Sequence, residues 1–214
     1  GIQFWTGNIT DVNTKLELSL DLKIFFKKDK PVAIVFLHAV ADDQFRCGFD
    51  CFKTIDDFHH YTINSLLKLG YYCILKPHPG IVSPIHPDKS LIDYKYVKGL
   101  YRYYGLDYDS SINNDIKLIK ESTSHKNIFS INPQLSLTAI TKKIKPIVLT
   151  HHGNVTFEAL HLNIPNLKYE YCKSRAFDFT NTWSNKKEYY DLLEYYKLNK
   201  KLPKKNFKDD FYEI

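Results

Sequence analysis

Lys76-Pro77-His78-Pro79 holds a cation and an imidazole two residues apart, interleaved with two prolines. Proline fixes its own φ and reduces the entropy lost when a turn is ordered, so Lys76 and His78 project from a stiff corner. A fixed ammonium beside an imidazole donor suits a nucleotide phosphate. An ordinary proline turn with exposed polar groups explains a bare His-Pro pair equally well. The position favours the phosphate reading, because the turn follows the apolar run Tyr71 to Leu75 and a second chemically loaded stretch lies about 70 residues further on.

That second stretch is Thr150-His151-His152-Gly153-Asn154-Val155-Thr156-Phe157-Glu158-Ala159-Leu160. A glycine between an apolar run and a helical pattern lets backbone amides at the helix start face an anion, with Asn154 in place to cap the helix. Glu158, one turn along, is placed to accept hydrogen bonds from ribose hydroxyls. The plainer alternatives are a surface glutamate and a loop histidine pair. Adjacent histidines rarely share one ion, so no metal is expected at His151, His152 or His78. If a hydroxyl must be deprotonated, His38, Asp42 and Asp43 are the candidate bases beside a strand end; the alternative for Asp42-Asp43 is a cap of the next element.

The elements that must position these residues follow from periodicity. Val32 to Ala39 is a continuous apolar, β-branched run, as in a buried parallel strand. Thr54 to Leu69 has helical apolar spacing and stops at Gly70, and Tyr71 to Leu75 completes a strand–helix–strand unit. Further strands are expected at Asn127 to Ile131, Pro146 to Thr150 and Asn166 to Tyr169. Helices are expected at Ser136 to Lys143, Val155 to Leu162 and, on the surface, Asn185 to Leu198. The tyrosine-rich stretch Pro84 to Ser124 reads as a helix followed by irregular structure. The fold class is α/β, a Rossmann-like parallel sheet flanked by helices, with ligands at the carboxyl ends of the strands. Those ends are His38 to Asp43, Lys76 to Gly80 and Thr150 to Asn154.

The 214 residues, 43% of them hydrophobic, suffice for one domain, expected over residues 31–198. Residues 1–30 form an N-terminal extension or the remnant of a second domain, and 199–214 a basic tail. The formal charge of +6 is spread along the chain, with its densest basic run from Lys200 to Lys208 offset by Asp209 and Asp210. That run reads first as a solvated tail and secondarily as a surface for anionic lipid headgroups. No nucleic-acid module accompanies it, so nucleic acid is not an expected partner. No apolar run of about 18 residues occurs, and Gly1 to Gly7 lacks the features of a signal peptide; the expected location is cytoplasmic, at or near the inner face of a membrane. Cys47, Cys51, Cys73 and Cys172 form neither a C-x-x-C pair nor a zinc pattern and read as reduced, mostly buried thiols.

K-P-H-P after a strand, followed by T-x-x-G-x-x-x-x-E-A-L and then Ile164-Pro165, resembles the donor-binding domain of bacterial capsule and lipopolysaccharide-type GT-B glycosyltransferases, with the Kdo transferases as the nearest look-alikes. The stretch Phe36-Leu37-His38-Ala39-Val40-Ala41-Asp42-Asp43-Gln44-Phe45 is similar to the capsule group, where a His and an Asp follow the first strand. The resemblance runs from about Val32 to Leu193. It implies a GT-B donor-domain type of fold and transfer of a sugar from a nucleotide-activated donor, a CMP-sugar such as CMP-Kdo favoured, onto a surface glycan or glycolipid, with no cofactor beyond that donor. His78 and Lys76 would then contact the donor phosphate, while His152, Gly153 and Asn154 lie against the nucleotide and Glu158 at its ribose. Ser136 would stand near the base or phosphate. Teichoic-acid glycerophosphotransferases carry a comparable K-x-H-P, but their serine pair is replaced here by His151 to Asn154; polysialyltransferases share the His-Pro, but their acidic motif is missing. The alternatives are a CDP-glycerol-type phosphotransferase and a non-catalytic nucleotide-binding domain. A complete GT-B enzyme has two such domains, and this length holds one.

Overall fold

The computed structural model describes residues 30–38, 51–78, 99, 102–103, 105, 107–131, 135–142, 144–169 and 181–203. In chain order these form β1 (Val32–Phe36), α1 (Ile55–Leu69), β2 (Tyr72–Lys76), α2 (Tyr108–Thr123), β3 (Ile128–Ser130), α3 (Leu137–Thr141), β4 (Ile147–Leu149), α4 (Val155–His161), β5 (Asn166–Leu167) and α5 (Lys186–Asn199).

The central strands β1, β2 and β4 are short, largely apolar and almost wholly buried on both faces, which is the composition that lets parallel pairing persist. The five strands form one sheet in the order β3-β2-β1-β4-β5, every pair parallel. Register is set at the centre, where Ile34 lies opposite Ile74 on one side and Val148 on the other. This is the strand order of a Rossmann-like sheet, and the chain reverses direction across the sheet between β1 and β4. Ligands in open α/β sheets bind in the crevice outside the strand ends at such a reversal.

Alternate strand residues enter two separate cores, as a period of two requires. Ala33, Val35, Cys73, Leu75, Ile147 and Leu149 pack beneath α1, α2 and α5, while Val32, Ile34, Tyr72, Ile74 and Val148 pack against α3 and α4. Helix α1 begins where Thr54 accepts the N–H of Asp57 at 3.1 Å and ends at Gly70, whose φ of 79° is the left-handed conformation a helix stop favours. Helix α5 is the surface helix expected, with Lys187, Glu188, Glu194 and Lys197 exposed, and its other face covers the first core with Tyr189, Leu193 and Tyr196. Hydroxyls fix its height: Tyr71 donates to Leu193 O at 2.6 Å, and Thr62 and Tyr189 share a 2.9 Å bond.

Within the stretch from Pro84 to Ser124, where a helix followed by irregular structure was expected, most residues before Asp107 lie outside the described residues. The end of the stretch, expected to be irregular, is helix α2, capped by Asp107 through the N–H of Ser110 at 2.9 Å. Ser, Asn and Asp dominate its first turns and favour caps over helix interiors, and that masked the signal. The remaining elements fall within one or two residues of the expected bounds, except that β1 ends at Phe36, three residues before the expected Ala39. Cys73 is a fully buried free thiol, raised above its ordinary pKa by burial; Cys47 and Cys172 lie outside the described residues.

Candidate functional site

The ends of β1 and β4 meet in a group of histidines. His38, two residues beyond β1 and 5% exposed, has its Nε2 2.9 Å from Thr150 Oγ1 and accepts the backbone N–H of His151 at 3.2 Å. Its ring stacks on that of His152 with centroids 4.0 Å apart, and His151 Nδ1 lies 3.1 Å from His152 Nδ1. The backbone N–H of His38 donates to His59 Nε2 at 3.2 Å, tying the site to α1. A ring nitrogen that accepts an N–H is unprotonated, so His38 and His59 are held neutral with the proton on Nδ1. Burial drives both well below an ordinary histidine, His59 to about 3, and neighbouring imidazoles add to the effect.

Gly153 follows this group with φ of 104°, a region that glycine enters and side chains do not. An added Cβ would meet His38 Cε1 at an ordinary 3.8 Å, so conformation rather than space requires glycine here. Asn154 stands at the N-cap position of α4 as expected, but makes no cap bond with its side chain. Its φ and ψ of −71° and −13° are already helical, whereas a capping residue needs extended backbone to reach N2 or N3.

Lys76 ends β2 on the face shared with α4. It is 7% exposed, with Nζ 5.5 Å from the centre of the Phe36 ring. Burial lowers its ammonium to about 8, and the carboxylate of Glu158 on α4 pulls the other way. Glu158 is raised from the ordinary carboxylate range by crowding around its carboxyl, with Lys76 opposing; its side chain remains exposed, so solvent screens most of that effect.

The structure thus brings His38, His152, Gly153, Lys76 and Glu158 to one edge of the sheet, with His78 close enough to act electrostatically on His38. Ser136 serves as the N-cap of α3, accepting the N–H of Ala139 at 3.2 Å; no hydrogen bond among the described residues joins it to the others. Asp42 and Asp43 lie outside the described residues. As a base, His38 would first have to give up the N–H of His151, so its geometry is that of a brace between β1 and β4.

His59 escaped the sequence reading; Thr150 and His151 lay within the strand end it marked but were given no role there. The signal for His59 was present, since it sits with Ile55, Phe58, Thr62, Ile63 and Leu66 on the buried stripe of α1. Next to it, Asp56 and His59 of α1 and Asp115 of α2 bring one donor atom each within 4.8 Å of the others.

No family model, curated protein or solved structure matches the chain. The class that the coordinates define is therefore an α/β domain with an all-parallel five-stranded sheet among the described residues. No helix among them is long and apolar enough to cross a membrane.

Proposed function

We propose that the chain is the donor-binding part of a GT-B-type glycosyltransferase that moves a sugar from a nucleotide-activated donor, a CMP-sugar favoured, onto a glycan or glycolipid at a membrane surface. The observation that carries this reading is the desolvated Lys76 ammonium, set across from Glu158 beside the Gly153 turn at the carboxyl edge where the strand order reverses. A cation at that edge suits a phosphate, and a carboxylate one turn into α4 suits ribose hydroxyls.

In the reaction the bond between the sugar's anomeric carbon and the phosphate oxygen breaks, and the nucleotide leaves with the electron pair. The acceptor oxygen bonds to the same carbon and its proton passes to a base, a role given to Asp42 or Asp43. Lys76 and His78 stabilise charge growing on the leaving phosphate.

The direct test is thermal unfolding with CMP, CDP, UDP and GDP. A ligand at 100 times its dissociation constant adds about 2.7 kcal/mol, so a rise in melting temperature is expected, largest with the cytidine nucleotides. No rise with any of the four overturns the reading.

A further inference from the structure

We propose that Asp56, His59 and Asp115 form a site for a divalent transition-metal cation, of the Zn2+ or Mn2+ class, beneath the histidine group. Two helices converge on it: Asp56 and His59 are one turn apart at the start of α1, and Asp115 faces them from the middle of α2. Their donor atoms already lie within 4.8 Å of one another. Metal–oxygen and metal–nitrogen distances of about 2.0–2.2 Å place neighbouring ligands roughly 3.3 Å apart, a closure that carboxylate rotamers supply.

A second observation points to a missing ligand. Asp115 is 1% exposed and His59 fully buried, yet Asp115 Oδ2 and His59 Nδ1 have no hydrogen-bond partner. Leaving a buried carboxylate oxygen unsatisfied is costly, and two carboxylates converging with an imidazole ask for positive charge. His59 Nε2 is occupied by the N–H of His38, so Nδ1 is the nitrogen left to ligate. Without metal it carries the ring proton; with metal that proton moves to Nε2, and the long 3.2 Å bond from His38 is given up. Asp56 is half-buried, which gives the ion a path from solvent and room for water ligands. One carboxylate pair with one imidazole is a mixed hard and borderline donor set, suited to Zn2+ or Mn2+ rather than to thiolate-seeking metals. The site uses none of the histidines at which the sequence argued against a metal.

The test uses the full chain stripped with EDTA and dialysed against Zn2+ or Mn2+, with bound metal measured by elemental analysis and Mn2+ coordination followed by electron paramagnetic resonance. A single bound equivalent is expected, weakened about tenfold or more by Asp115→Asn or by Asp56→Asn. Asp56→Asn lies on a half-buried first turn and keeps the fold, as circular dichroism will confirm, so the proposal stays testable should Asp115→Asn fail to fold. His152→Ala serves as a control and should leave the metal affinity unchanged. No retained ion, or binding that survives Asp56→Asn and is lost in His152→Ala, overturns the proposal.

Discussion

Lys76 shows how burial sets the working range of one residue. An ammonium with an ordinary pKa stays charged to above pH 10, but here burial brings it to about 8. Below that value the charge is present and above it the charge is lost, so if Lys76 holds the donor phosphate as proposed, nucleotide affinity should decline as pH rises past about 8. Lys76→Arg, always charged, should flatten that decline, and Lys76→Ala or His78→Ala should abolish most of the affinity while leaving the far-ultraviolet spectrum intact. Titration with CDP at pH 7 and pH 9 distinguishes these outcomes, and equal affinity at both values in the wild type would remove Lys76 from the phosphate. The histidines carry a separate pH dependence. His38 and His59 are depressed in the folded state, so the unfolded chain binds their protons first and stability is lost as pH falls below about 6.5, for His59 down to about 3. Asp115, pushed up to about 8 by burial and by Asp56, acts in the opposite sense, favouring the fold at low pH and losing that contribution as pH rises through about 8. The two histidines together are expected to outweigh the one carboxyl, so stability should fall as pH drops below about 6.5, measurable by urea denaturation in chelator-containing buffer.

Two asparagines at helix starts show what a sequence can and cannot tell at the scale of an element. Asn154 and Asn185 both stand at helix starts; Asn154 was expected to cap its helix, whereas Asn185 was read only as the first residue of its own. Only Asn185 has the extended backbone, φ −152° and ψ 164°, and only it accepts an N–H, that of Glu188 at 2.9 Å. Asn185→Ala should therefore cost about 1 kcal/mol and Asn154→Ala close to nothing, a contrast visible in chemical denaturation. Gly153→Ala should cost more, about 1–3 kcal/mol, because its φ of 104° is closed to a side chain. Strand and helix periods made β1, α1, β2, β4 and α4 legible, because each carries a dense apolar run ended by glycine, proline or a polar loop. The position of α2 was not legible: Leu118 and Ile119 are the buried apolar residues in a helix otherwise rich in Ser, Asn and charge. The histidine group was only half legible, since His38 and His59 are brought together by the α1 crossover, and contact between elements leaves no spacing in the chain. An aspartate and a histidine on apolar helical stripes were the available clues, and each marks a buried polar group that needs a partner.

At the scale of the whole molecule, the proposed function assigns donor binding to the carboxyl edge of the sheet and chemistry to residues beyond it. β1 and β4 are neighbours at the centre where the strand order reverses, so their carboxyl ends receive residues far apart in the chain: His38, Lys76 and the turn from Thr150 to Gly153. A nucleotide needs only that edge. Transfer needs a base on the acceptor side as well, and the residues proposed for that role, Asp42 and Asp43, lie outside the described residues. Replacing either with Asn removes a proton acceptor but leaves Lys76, His78 and Glu158 in place, so the variants should bind nucleotide as the wild type does and lose turnover by about 100-fold or more. The measurement pairs a nucleotide titration with sugar transfer to a glycan acceptor on the same preparations. Loss of affinity together with turnover would make these aspartates part of the donor site instead. Full transfer by both variants would place the base on other residues, and nucleotide binding without transfer in the wild type would mean that the acceptor half must come from elsewhere, because a donor crevice by itself holds the leaving group but positions no nucleophile.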